Sequence, residues 1–347
     1  MVHAESQWKK VLPDVSFSFP RDHGAHPDSR TEWWYVTGIT QDENQRTFGY
    51  QLTFFRQGID PSAAQPGESS MRARQIIAAH FAIADIENQA FHHTERVRRA
   101  AYLAGAATDD LRVWLDDWRI ERDANGVIAM TANDAEAGIA IDFQLTAERP
   151  FVLQGKEGYS QKGEEPGNAS GYITWTRLRT QGVLQLDGER FDVEGMSWFD
   201  HEFGTSQLGE GVQGWDWFGL RLDDGRDLMV YQLRTEDGGI SPYSAGNLIL
   251  QDGTNLYLQS GDFSIEAYDS WTSPKTEITY PIGWRIKAPE AGIDIQAEPL
   301  LPNAEMNTGI STGTVYWEGP VRLSGSVTGE GYAELTGYSE SIGGRFE

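Results

Sequence analysis

The 347-residue chain contains no cysteine, which excludes disulfides, thiolate metal sites and a cysteine nucleophile. Basic residues are scarce: 28 Lys and Arg stand against 52 Asp and Glu, a formal charge of -24. Such a surface repels phosphate backbones and anionic headgroups, so neither nucleic acid nor an acidic bilayer is expected as a partner. No apolar run approaches the roughly 20 residues that a membrane-spanning helix needs, so no stable insertion is expected. A GxSxG elbow, a P-loop and a dinucleotide fingerprint are also missing, which removes the commonest hydrolase and nucleotide-binding readings and implies no cofactor. The pairs His23/His26 and His92/His93 lack further ligands at metal spacing, so no metal is expected either.

What is present points to strands. Aromatic residues make up 12% and glycine numbers 38. Segments such as GYQLTFF (49–55), RVWLDDWRI (112–120), GIAIDFQL (138–145) and DLMVYQL (227–233) alternate or are rich in β-branched and aromatic residues. Turn signals lie between such segments at Asn125, Asp187, Asp223 and Asp252, each in an NG, DG or DDG sequence. One segment, TERVRRAAYLAG (94–105), reads as a helix. The first residues, MVHAESQ, place HA before Glu5. This resembles a small-residue cleavage site, with Met1 an added start, and leads to the expectation of a periplasmic or secreted protein, a cytoplasmic one remaining the alternative.

The chain also repeats itself. WYVTGITQDENQRTFGYQLTFFR from Trp34 lines up with WFGLRLDDGRDLMVYQLR from Trp217. Four further matches follow in the same order, at His80 and Asn247, Trp118 and Trp284, Gly138 and Gly292, and Tyr172 and Thr314. Ordered self-similarity of this kind marks a duplication. The fold expected is therefore all-β, two tandem antiparallel barrels occupying 1–204 and 215–347, with a short Gly-rich linker at 205–214. A closed barrel of eight to ten strands removes its own edges and can hold one small ligand.

Two windows carry candidate chemistry. In HPDSRTEWWYVTG (26–38), adjacent Trp33 and Trp34 must point to opposite faces of a strand. One is expected to close a barrel, and the other, with His26, Glu32 or Tyr35, to face a ligand cavity or the second copy. In SWFDHEFG (197–204), Asp200, His201 and Glu202 follow Trp198 and Phe199, and the matching stretch of the second copy is SESIGG. The cluster thus lacks a counterpart there, so the scaffold does not need it. Apolar neighbours keep a carboxyl protonated near neutral pH, as a general acid must be. On a straight strand, however, Asp200 and Glu202 would share a face and His201 would oppose them, so a three-residue site needs a turn. GWDWFGL (214–220) sets Asp216 between Trp215 and Trp217, either in solvent or at the junction near His201. Tyr231 lies on the returning strand. Tyr159 and Lys162, in GYSQKG, read as a loop able to cap a cavity.

Together HPDSRTEWWYVTG, GYSQKG…GNASGYITWTR, GMSWFDHEFG and GWDWFGLRLDDGRDLMVYQLR resemble the lipocalin-like (calycin) hydrolase and hydratase proteins that include carotenoid 1,2-hydratase. The resemblance implies two lipocalin-like barrels, a cavity in the first, a second site between the barrels, and lipid or isoprenoid substrates. It also implies that His201 and Tyr231 occupy positions tied to water addition. Phe203 stands where that pattern has Trp, and Asp216 is only a stand-in for its Asp. Hydration of an alkene would then use Asp200 or Asp216 as acid, Trp faces to stabilise a cation, and His201 oriented by Glu202 as base. The alternatives are a non-catalytic lipid carrier, with the acidic cluster as a structural lock, and a pericyclase or hydrolase on a hydrophobic substrate.

Overall fold

A computed structural model describes residues 8–61, 74–205, 207–209 and 211–341. The leader reading at 1–7, the loop expected near Gly67, and Ser206 and Glu210 of the linker lie outside these residues.

The first sheet contains Thr31–Asp42 (β1), Thr47–Gly58 (β2), Gln75–Asp85 (β3), Ala90–Arg99 (β4), Ala104–Ala106 (β5), Arg112–Leu115 (β6), Trp118–Arg122 (β7), Ile128–Asp134 (β8), Ile139–Ala147 (β9), Val152–Leu153 (β10), Tyr159–Gln161 (β11), Ala169–Leu186 (β12) and Glu189–Gly204 (β13). The second contains Val212–Leu222 (β14), Asp227–Thr235 (β15), Ala245–Ile249 (β16), Asn255–Gln259 (β17), Ser264–Thr272 (β18), Thr279–Ala288 (β19), Ile293–Pro299 (β20), Glu305–Thr308 (β21), Thr314–Gly325 (β22) and Gly329–Leu335 (β23). The main paths run β4-β3-β2-β1-β13-β12-β9-β8-β7-β6-β5 and β17-β16-β15-β14-β23-β22-β20-β19-β18. In both, the first strand lies between its hairpin partner and the last strand, which is the signature of the duplication. The second path is two strands shorter: β19 pairs directly with β20, whereas β7 reaches β9 through β8, and one strand lies beyond β19 where two lie beyond β7.

Both sheets are antiparallel and curled, the first into a near barrel and the second into a half-barrel. The open side of the first is bridged by side chains from β4: Arg96 donates to the Asn133 carbonyl at 2.7 Å, Arg98 to Asp116 at 3.1 Å, and Thr94 to Asp134 at 2.7 Å. This is also where the helix expected over 94–105 fails. Residues 94–99 continue β4, paired with β3 through Ala79↔Arg96 and Ile77↔Arg98. A sheet edge offering backbone partners outweighs a weak helix preference.

The interior of the first sheet is solid. Trp34, Phe48, Tyr50, Phe54, Phe81 and Trp118 are all fully buried there, each large apolar side chain worth about 1.5–3 kcal/mol of burial. The resemblance led us to expect a cavity inside this barrel; side chains fill that space. The second interior packs around Phe218, Trp284 and Trp317. A third apolar cluster, with Tyr35, Tyr172, Trp198, Trp217 and Tyr231, fills the seam between the sheets. Polar ties cross the seam as well. Asp227 on β15 accepts from Arg149 (3.0 Å), Arg177 (2.8 Å) and Thr176 (2.7 Å), and His80 on β3 bonds to the Tyr316 hydroxyl at 2.8 Å.

Candidate functional site

Strand alternation decides which residues meet. On β1, Trp34 points into the first sheet, donating from Nε1 to the His23 carbonyl at 3.3 Å and stacking on His201 with ring centroids 5.0 Å apart. Trp33 and Tyr35 point the other way, into a cleft in the seam. Trp34 therefore closes the barrel and Trp33 serves the seam.

The same rule splits the Asp-His-Glu cluster. β13 runs without a turn to Gly204, so Asp200 and Glu202 line the cleft while His201 faces the barrel mouth. The three-residue site does not form, and Glu202 does not orient His201. That role falls to Glu32, whose Oε1 lies 2.9 Å from His201 Nε2 and 2.8 Å from His26 Nδ1. Arg56 Nε donates to Glu32 Oε2 at 2.7 Å, the His26 amide to both oxygens at 3.0 Å, and His26 Nε2 lies 3.1 Å from Asp22. Burial alone would raise the Glu32 carboxyl, but the Arg56 charge and the two histidines hold it well below the usual carboxylate range. Burial pushes His201 down, with Glu32 opposing only in part. His26 rises, because its bonds to Asp22 and Glu32 outweigh burial. His26, Glu32 and His201 converge closely enough to raise the question of a metal ion. The donor set argues against one: both Glu32 oxygens already accept from backbone or guanidinium N–H groups, and the Arg56 charge already neutralises the carboxylate. The chemistry present is that of a buried ion network.

The cleft has about 810 Å³ of empty space, its open mouth included, and is walled by Trp33, Tyr35, Phe55, Trp215, Trp217 and Tyr231 among others. Asp200 is buried in its wall. Its Oδ1 accepts from Thr174 Oγ1 (2.5 Å) and Trp198 Nε1 (2.9 Å), its Oδ2 from the Tyr172 hydroxyl (2.7 Å), which itself accepts from Trp217 Nε1 at 3.1 Å. Burial pushes the Asp200 carboxyl up to about 7, despite three hydrogen bonds that favour its charged form. Glu202 is ion-paired with Lys162 and accepts from Ser170 Oγ. The Lys162 ammonium also lies 5.5 Å from the Tyr172 ring centre and 5.7 Å from that of Tyr231. On the far wall, Glu318 of β22 stands directly across from Glu334 of β23. Burial, then the neighbouring Glu334, pushes Glu318 well above the usual range, and burial likewise raises Glu334.

A profile of AttH-like proteins matches residues 10–338. The chain belongs to the AttH-like family. A protein of Nitrosomonas europaea assigned to AttH is 33% identical, with a TM-score of 0.86 over 95% of this chain and 99% of the other. Kievitone hydratase from Nectria haematococca shares the fold at 15% identity and a TM-score of 0.71, covering 97% of each chain. CghA shares it at 13% and 0.51, over 92% of this chain and 90% of that one. Among curated protein sequences none matches this chain.

In this AttH-like chain the structure brings Trp33, Tyr35, Lys162, Asp200, Glu202, Trp215, Trp217 and Tyr231 to one cleft. Trp198 stands behind the wall, supporting Asp200. His26, Glu32, Trp34 and His201 belong to the separate barrel-mouth network. Asp216 faces the second interior, where Arg234 (3.1 Å) and the Tyr338 hydroxyl (2.9 Å) bind it; it is neither solvated nor near His201. Tyr159 lies on β11, packed with Val11, Ala169 and Phe203, so only Lys162 of that segment reaches the cleft.

Two expectations about the repeat change. The match of Trp34 to Trp217, and of Tyr50 to Tyr231, pairs residues on opposite faces, because Trp34 and Tyr50 are in the first interior while Trp217 and Tyr231 are in the seam. A slip of one residue inverts every side chain. In the hydrogen-bond register, Tyr35 lies across from Asp200 and Trp217 across from Glu334. Asp200 thus has a counterpart in the second sheet, namely Glu334. Tyr172, Thr174, Glu318 and Glu334 escaped the sequence reading. The available signal was a lone glutamate in each of the apolar runs TVYWEGPV and GYAEL.

Proposed function

We propose that this AttH-like protein is a hydratase- or hydrolase-type enzyme acting on a hydrophobic small molecule held in the seam cleft, and that its reaction is the addition of water to an alkene. The observation that carries this reading is Asp200: a carboxyl buried in an aromatic wall and raised to about 7, able to stay protonated near neutral pH. Asp200 gives its proton to one alkene carbon, and the π electrons form that C–H bond. The cationic carbon that results lies among the faces of Trp33 and Trp217, each contributing roughly 0.5–2 kcal/mol of cation–π attraction. Water attacks it, forming the C–O bond, and Glu202, held by Lys162 and Ser170, takes the released proton. The proton on Glu202 returns to Asp200 through solvent at the open mouth. Atoms and charge balance without electron transfer, so the reaction requires no redox cofactor. His201 has no part in this scheme.

One observation favours the carrier reading: both Asp200 oxygens are already bonded by three donors. Incubation with isoprenoid alkenes in heavy-oxygen water separates the two. Label in the product, lost in Asp200→Asn, supports the hydratase. Tight binding without turnover, unchanged in that variant, supports the carrier.

A further inference from the structure

Most buried carboxylates among the described residues have a cation: Glu32 has Arg56, Asp85 has Arg46, Glu202 has Lys162, Asp216 has Arg234, and Asp227 has Arg149 and Arg177. Asp200 and Glu305 lack one, but hydroxyl or indole donors serve them. Glu318 differs. It is 2% exposed, no cation among the described residues faces it, and the Tyr35 hydroxyl, the donor that approaches it, makes no well-formed hydrogen bond to either oxygen. Two groups of the first sheet that line the same cleft share this state: the buried Tyr35 hydroxyl on β1 and Gln51 Oε1 on β2. A buried polar group left unsatisfied costs stability, about 1–3 kcal/mol each. Three of them line one cleft and leave a gap in its hydrogen bonding that is rich in acceptors.

We propose that Glu318, with Tyr35 and Gln51, is the recognition site for a hydrogen-bond-donating head group, a hydroxyl or an ammonium, on an otherwise apolar ligand whose body lies against Trp33, Trp215 and Trp217. This rests on the cleft being the binding site and narrows its substrate class from hydrophobic to amphiphilic. Tyr35 lies directly across from Asp200 in the strand register, so a head bound there holds the ligand beside that acid. It also explains why an unpaired acid is retained in an apolar strand: Glu318 is stability given up for recognition.

The test compares three probes of one shape by equilibrium dialysis against the full chain: 2-methylnaphthalene, 2-naphthylmethanol and 2-naphthylmethylamine. The wild type is expected to hold at least one donor-bearing probe tenfold or more tighter than 2-methylnaphthalene, which is about 1.4 kcal/mol. Any smaller advantage overturns the proposal. In Glu318→Leu the advantage is expected to vanish while 2-methylnaphthalene binds no more weakly; an equal loss for all three overturns the proposal. Glu318→Gln, which keeps an acceptor but cannot ionise against a bound cation, tells the two heads apart: it retains 2-naphthylmethanol and loses 2-naphthylmethylamine. Glu318→Leu is expected to raise Tm, since it removes a buried unsatisfied polar group, whereas a merely structural glutamate would lower it on replacement. If none of the probes binds, the cleft reading fails together with this one; if all bind alike, only this one fails.

Discussion

Asp200 and Glu32 are both buried carboxyls within the same sheet, yet their environments push them in opposite directions. Glu32 sits beside a guanidinium and two imidazoles; Asp200 has neutral donors, apolar walls and a second acid, Glu202, nearby. The first is a structural charge and the second a proton store, and the predictions separate accordingly. In Asp200→Asn, turnover should fall by about 10²- to 10⁴-fold, the range of acid–base assistance. Wild-type turnover should decline as pH rises through about 7, where the acid form of Asp200 is lost; a pH–rate profile checks both. Glu32→Gln should leave cleft binding intact and cost about 3–5 kcal/mol of stability, because it leaves Arg56 buried and unpaired. The folded carboxyl of Glu32 is held below its ordinary value of 4.5. Its contribution is therefore full above that pH and lost as pH falls through the folded value. Acid unfolding followed from pH 6 to 2 should be steeper for wild type than for Glu32→Gln.

At the scale of strands, alternation alone gave the opposed faces of Trp33 and Trp34, and of Asp200 and His201. Spacing cannot say which face meets which partner, because that depends on register. The match of YQLTFFR to YQLR rests on residue identity, and the hydrogen-bonded strands set the two tyrosines on opposite faces. The segment 94–105 failed for a related reason, since its strand pairing comes from β3, distant in sequence. Glu318 and Glu334 were hidden because a charge in a strand reads as a solvent-facing residue until a second sheet covers it. That covering is held by Asp227, where three donors from the first sheet and its loops meet a carboxylate with no exposure. Asp227→Ala should lower stability by about 3 kcal/mol in denaturant unfolding, since it strands the Arg149 and Arg177 charges at the seam. Replacement of Asp116, whose partner Arg98 is solvent-exposed, should shift the denaturant midpoint far less than Asp227→Ala does.

At the scale of the whole molecule, two sheets of one ancestry pack aromatic interiors, and an aromatic-walled cleft lies between them. The duplication and the all-β class were legible in the sequence. The family resemblance placed one site inside the first barrel and another between the barrels; it could not tell that side chains fill the first, because packing there depends on volumes that composition does not report. The seam core joins both sheets, so heat should unfold the chain in one transition rather than two. The central claim is that ligands bind in this seam. Photoaffinity labelling with a naphthyl diazirine, followed by peptide mapping, tests it most directly. The account predicts adducts on peptides covering 33–55 and 215–233, competed by 2-naphthylmethanol. Adducts on the peptides of the first interior, around Phe81 and Trp118, or at the outer groove beside Phe17 and Tyr257, would contradict it.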